Sequence, residues 1–306
     1  MTTINTSTSA FYDRSMQGIA SLRAEAESLQ NSMASGQRLT RSSDDPVAAS
    51  RLRQLSHADA LSTINTANAE RATTDLSLTD SALSSFAGYV TRVKELATQA
   101  ANGTLTAAQR SGIGTEIAAI RSNVLSLANS RDAAGHALFG GETAGAAYQT
   151  DALGNASYIG TASVSDLPLG DGQTVSRGLT GPEFMDFSVN GNPTNLLAVL
   201  KGLSDDLLGG AANPQASANA ALDVLDAGLD AVSTAQTVVG TRLAWIDLTS
   251  ERRTNLGEMR STEEASVGGT DLAATVAKLQ ETMTVLQASQ ASFARLAGLS
   301  LFDLLH

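Results

Sequence analysis

The chain has 306 residues, 20 basic and 31 acidic, for a formal net charge of −11. That length suits two or three modules, and so acidic a chain argues against binding to a polyanion, which needs concentrated Lys and Arg. Cysteine is absent, which excludes a disulfide framework, thiol catalysis and any Cys-based zinc site.

Hydrophobic residues make up 42% of the chain but aromatics only 4%. Much of the apolar share is alanine, which buries little area per residue and lets helices approach closely. Such a composition favours long helices packed side by side over a thick globule.

The first residues are rich in Thr, Ser and Asn and carry neither a basic n-region nor an apolar h-region. A cleaved secretory signal is therefore not expected. No run approaches the roughly 18 apolar residues of a membrane span. Ile19, Leu22, Ala26, Leu29 and Met33 then recur at spacings of three and four, the seam of an amphipathic helix. Gly36 suits its end.

Asp44-Asp45-Pro46 reads as a helix start. Asp45 suits the N-cap, Pro46 the first helical position, and both carboxylates the positive end of the helix dipole. The rhythm of Ala69, Ala72, Leu76, Thr79, Leu83, Phe86, Val90, Val93, Ala97 and Ala100 predicts one helix from about Pro46 to Ala101, about 80 Å long. Asn102-Gly103 marks a turn, and Thr106 with Gln109 has the capping-box spacing. Ile113, Ile117, Ile120, Val124, Leu127, Ala134 and Leu138 predict an antiparallel partner helix closed by Gly140-Gly141.

From residue 142 to 195 the helical period is lost. Short strands are expected at 146–149, 156–159, 161–164 and 184–189, separated by Gly154-Asn155, Asp171-Gly172 and Asn190-Gly191. A shorter helix over 196–208 follows. Asn213-Pro214 opens a long one whose seam of Leu222, Leu225, Leu229, Val232, Val239, Leu243 and Ile246 carries to about Arg260. After Gly268-Gly269 comes the most regular seam of the chain: Leu272, Val276, Leu279, Met283, Leu286, Gln290, Phe293, Ala297 and Leu304.

The layout predicts a mainly α protein: a long antiparallel helical bundle, paired N- and C-terminal coiled-coil helices, and a small inserted antiparallel β domain. The expected domains are 1–40 with 269–306 for the terminal pair, 41–141 with 211–268 for the bundle, and 142–210 for the insert. The terminal helices are short and their stripes need cover. They are expected to order only against neighbouring copies, which points to polymer formation. The expected assembly interface is Ile19, Leu22, Leu29, Met33, Leu272, Val276, Leu279, Met283, Leu286 and Phe293.

No residues converge on chemistry. His57, His136 and His306 stand in no metal-ligand spacing, and there is no G-x-S-x-G elbow. The pairs Asp44/Asp45 and Asp205/Asp206 are adjacent on helix starts or faces, not opposed across a cleft. Arg51/Arg53 and Arg252/Arg253 read as solvated helix faces, and Trp245 as a packing or interface residue. No enzyme activity, cofactor or metal is expected.

The run Met33-Ala34-Ser35-Gly36-Gln37-Arg38-Leu39-Thr40-Arg41-Ser42-Ser43-Asp44-Asp45-Pro46-Val47-Ala48-Ala49-Ser50 resembles the N-terminal signature of the flagellin superfamily. The Ser43-Asp44-Asp45-Pro46 form resembles its hook-associated branch, at the junction of hook and filament. Further matches run from Ala101 to the Leu138-Phe139-Gly140-Gly141 close, and from Gly269 to the ending Leu299-Ser300-Leu301-Phe302-Asp303-Leu304-Leu305. The resemblance implies a structural subunit of the bacterial flagellum, extracellular and exported through the flagellar type III apparatus without a cleaved signal. It implies terminal helices lining the channel of a tube, bundle helices in its wall and the insert facing outward. The implied partners are identical copies in a ring, the other hook-associated protein, flagellin and an export chaperone, with no nucleic acid and no membrane insertion. A short flagellin, or a flagellin-like surface protein whose insert captures a ligand, shares many of these features.

Overall fold

A computed structural model describes residues 3–132 and 134–303. Seven α-helices and three β-hairpins are found among them: α1 (Thr3–Ser35), α2 (Pro46–Ala100), α3 (Ala107–Ala128), β1 (Tyr148–Thr150), β2 (Ala156–Tyr158), β3 (Asp166–Gly170), β4 (Gln173–Ser176), α4 (Pro182–Met185), β5 (Asp186–Val189), β6 (Asn192–Asn195), α5 (Leu196–Asp205), α6 (Pro214–Gly268) and α7 (Leu272–Asp303). The fold is mainly helical, as the periodicity predicts. Contacts divide the chain into two compact units, Met1–Ala60 with Leu256–His306, and Leu61–Asn255.

In the second unit, α2 buries Ala69, Ala72, Leu76, Leu83, Phe86, Val90, Val93 and Ala97, the face that the three-four spacing marks out. Ile117, Ile120 and Val124 of α3 and Leu225, Val232, Val239 and Ile246 of α6 join the same core. Lys94 pairs with Asp226, and the Gln236 amide donates to Ser84 Oγ at 3.1 Å, so α2 and α6 run antiparallel. The Thr106 hydroxyl accepts from Gln109 N, and the Gln109 side chain accepts from Thr106 N. That is the capping box expected there. Trp245 is 39% exposed and so is not a core residue.

The helix α3 stops at Ala128, ten residues short of the expected Leu138. Asn129 explains the difference. Its amide donates to Tyr148 O at 3.0 Å, and its carbonyl accepts from Tyr148 N at 2.8 Å, a two-bond pairing that holds the start of β1. Ala134 and Leu138 therefore lie in a loop, where Asp132 Oδ1 accepts from the backbone of Ala134 and His136 at 2.9 and 2.8 Å. The loop delivers Phe139, fully buried, against Phe86 and Phe184 at centroid distances of 5.7 and 4.9 Å. Asn129→Ala should cost about 1–3 kcal/mol, because it leaves a buried backbone pair unmatched. Urea unfolding measures that cost.

The insert is three separate antiparallel hairpins, β1–β2, β3–β4 and β5–β6, rather than one sheet. No strand covers 161–164. The strands flanking Asp171-Gly172 (φ +52° and +73°) and the second strand after Asn190-Gly191 (φ +51° and +78°) were not expected. Both turns have the paired positive φ of tight hairpin turns. The helix α5 ends at Asp205 and passes into a wider turn over Asp206–Gly210, where Gly209 has φ +114°. The helix α6 runs eight residues past Arg260, to Gly268.

Asp75 of α2 is only 8% exposed. Burial, then the nearby Asp132 carboxylate, raises its pKa against the opposing pull of Arg177, Arg71 and His136. A carboxyl whose folded pKa is raised binds protons more readily when native. Its contribution is most favourable below the unfolded pKa and is lost as pH rises through the folded value. Asp75→Asn should therefore raise the melting temperature at neutral pH, and the gain should vanish in acid. Thermal melts across pH measure both.

Candidate assembly surface

The helices α1 and α7 lie antiparallel in the first unit. Tyr12 meets Phe293 edge-on at 5.4 Å, Glu25 meets Lys278 at 3.5 Å, and Thr270 N donates to Gly36 O at 3.0 Å. From α1, Tyr12, Ser15, Ile19, Leu22, Ala26, Leu29 and Met33 face the seam, as the heptad spacing requires. From α7 the facing residues are Thr275, Leu279, Thr282, Leu286, Ser289 and Phe293. Leu286, at 7% exposure, is the best covered large apolar side chain described on either helix. Near the Phe11 end, Ser15, Gly18, Ser289 and Ser292 leave a groove of about 270 Å³ between the helices.

The expected interface residues thus fall into two sets. Ile19, Leu22, Leu29, Met33, Leu279, Leu286 and Phe293 lie along the inner seam. Leu272, Val276 and Met283 belong to the same apolar stripe of α7 but stay exposed, at 55, 36 and 37%, Leu272 at the start of the helix and the other two on the outer flank. One helix can cover only one flank of such a stripe, so half of it remains bare. Phe11, Met16 and Val285 add to the exposed apolar surface. Leu304 and the Ala297 side chain lie outside the described residues.

At the start of α2, Asp45 Oδ1 accepts from Ala48 N at 3.0 Å, the cap that the sequence predicts. This N–H, and then the Arg38 guanidinium, hold the Asp45 carboxyl below its ordinary pKa. Asp44, two residues before α2, makes a different set of bonds. Its carboxylate accepts from Arg41 N at 2.8 Å and from Thr40 N and Oγ1 at 3.2 and 3.1 Å, so it folds the preceding loop. Ser43 is exposed. Sequence reasoning missed the tie between the two chain crossings. Gln37 bridges Gly269, and Arg38 N donates to Gly268 O at 2.8 Å. A single bridge carries no periodicity; the Gly268-Gly269 pair was its one visible mark.

Among the described residues, no three His, Cys, Asp or Glu groups are placed to hold a metal ion, and no helix is long and apolar enough to cross a membrane. What the surface offers is helix pairing. Residues 4–144 match the family described as the bacterial flagellin N-terminal helical region. Flagellar hook-associated protein 3 of Escherichia coli strain K12 is 30% identical over 97% of this chain and 98% of its own length. The chain belongs to the flagellar hook-associated protein 3 family.

The Salmonella typhimurium member is 28% identical over the same shares of both chains. A solved flagellar hook-associated protein from Vibrio parahaemolyticus is 26% identical and covers 74% of this chain and 100% of its own, with a TM-score of 0.67. The Legionella pneumophila flagellar hook-associated protein 3, at 14% identity, shares the fold with a TM-score of 0.62 over 75% of this chain and 99% of that one. By that membership the chain is a flagellar hook-associated protein.

Proposed function

We propose that the chain forms a ring of identical subunits between hook and filament and locks into it through its terminal helices. The observation that carries this reading is the bare flank of α7, where Leu272, Val276 and Met283 stay exposed after α1 has covered the adjoining seam. Apolar surface in one contiguous stripe is an interaction site. Its burial against neighbouring copies yields about 25 cal/mol per Å², less the cost of ordering the segments.

On this reading residues 1–40 and 269–306 are the assembly domain, 41–141 with 211–268 the bundle, and 142–210 the insert. The other hook-associated protein lies on one side of the ring and flagellin on the other. Before export a cytoplasmic chaperone covers the C-terminal helix, which carries the bare flank. The chain leaves the cell by flagellar export and works outside it.

Deleting the gene in its native host tests the proposal. The expected result is cells with hooks but no filaments, and monomeric flagellin in the medium. Shortened filaments with little flagellin in the medium would instead make this chain a filament subunit.

A further inference from the structure

Where residues 46–60 of α2 run beside residues 256–268 of α6, apolar contact is thin. Ala48, Ala49 and Leu55 are the buried apolar residues of that part of α2, and the described stretch of α6 buries none. Charged groups take their place. The Arg51 guanidinium grips Glu263 through two bonds of 2.5 and 2.8 Å. Arg260 Nε donates to Asp59 at 2.6 Å.

Arg38 completes the set at the end of the pair. Its guanidinium donates to Val267 O at 3.0 Å and to Asp45 Oδ2 at 3.2 Å. One cation thus spans the negative C-terminal end of α6 and the capping carboxylate of α2, and both placements are favourable. Beside it, the backbone bonds Arg38 N to Gly268 O and Thr270 N to Gly36 O join the two chain crossings. Gly36 holds φ +69° there, a left-handed conformation open to glycine.

We propose that Arg38–Asp45, Arg51–Glu263 and Arg260–Asp59 form an electrostatic latch over the two crossings and this stretch of helix pair. It opens as a local unit when salt screens it. The Arg51 and Glu263 side chains are 48 and 39% exposed, so their attraction is subject to screening. Little apolar burial remains to hold the stretch once the charges are damped. Segments with few buried contacts are the ones that open below the global unfolding threshold. This inference does not depend on the ring.

Hydrogen exchange on the full chain tests it. Between about 10 mM and about 1 M salt the screening length falls from roughly 30 to 3 Å. Peptides containing Arg38, residues 46–60, residues 256–268 and Thr270 should then exchange about fivefold faster, as expected for several weak pairs lost together. Peptides from Leu61–Asn255 should not change. Arg51→Glu should give the fast exchange at low salt, and Arg51→Glu with Glu263→Arg should restore the slow exchange. Exchange independent of salt in the named peptides, or a double variant no slower than the single one, would overturn the latch.

Discussion

Leu286→Asp is expected to abolish incorporation of the chain into flagella while leaving residues 61–255 folded. Leu286 is 7% exposed on α7 and faces the inner seam with α1. An aspartate there would place a carboxylate in a covered apolar position, at a cost of several kcal/mol if it stayed buried and charged. The cheaper outcome is separation of the two helices. Leu279→Asp, seven residues or about two turns earlier on the same face, should act alike. The second unit has its own core, with Leu76, Leu83, Phe86, Val232 and Val239 fully or almost fully buried, and should keep its circular dichroism and its resistance to protease. Complementation of the deletion strain reads the outcome: no restored filaments, although the variant is produced and its bundle is folded. Normal filaments from both variants would refute the role assigned to the terminal helices.

Phe86→Ala should cost about 3–5 kcal/mol, the usual range for emptying a buried aromatic site. Phe86 is wholly buried on α2 and meets Phe139 at 5.7 Å and Phe184 at 5.1 Å. With aromatics at 4% of the chain, three of them in one cluster form an unusually large share of the bulky core. The cluster also fastens the loop after α3 and the helical turn of α4 to α2. The cavity would be bordered by rings from a loop and a short helical turn that are joined by the hydrogen bond from Gly181 N to Phe139 O, so collapse is limited. Urea unfolding of Phe86→Ala and Phe86→Leu measures this, with the leucine variant losing much less. A loss below about 1 kcal/mol for alanine would show that the cluster is not a keystone of the second unit.

The helices were legible because their faces are periodic. Asp45-Pro46 and Asn213-Pro214 mark the starts of α2 and α6, and Asn213 Oδ1 accepts from Ala216 N at 3.1 Å, as a cap does. In α3 a non-local contact overrode a local pattern. Ala134 and Leu138 keep helical spacing with Val124 and Leu127, but the side chain of Asn129 pairs with Tyr148, far along the chain. The hairpins were harder to read because each strand has at most five residues and their burial follows from packing on the bundle. Leu167, Leu169 and Val175 flank a legible turn, Asp171-Gly172, yet Pro168 and the shortness of the strands conceal them.

At the assembly surface, the sequence displays the apolar stripe of α7 but not its division. Leu272, Leu279 and Leu286 share one heptad position, of which Leu272, at the start of the helix, is left exposed; Val276 and Met283 share the neighbouring position on the bare flank. Which flank meets α1 is decided by the partner helix, whose own seam sets the small Ser15 and Ala26 among Tyr12, Ile19, Leu22, Leu29 and Met33. The family resemblance supplied what periodicity could not, the nature of the assembly itself.

A junction subunit and a filament subunit differ in position along the flagellum, which labelling reads. Intact flagella from the native host would be decorated with a gold-conjugated antibody against this chain and viewed by electron microscopy. The account predicts gold confined to a short band where hook meets filament. Gold along the length of the filament would contradict it and make the chain a flagellin.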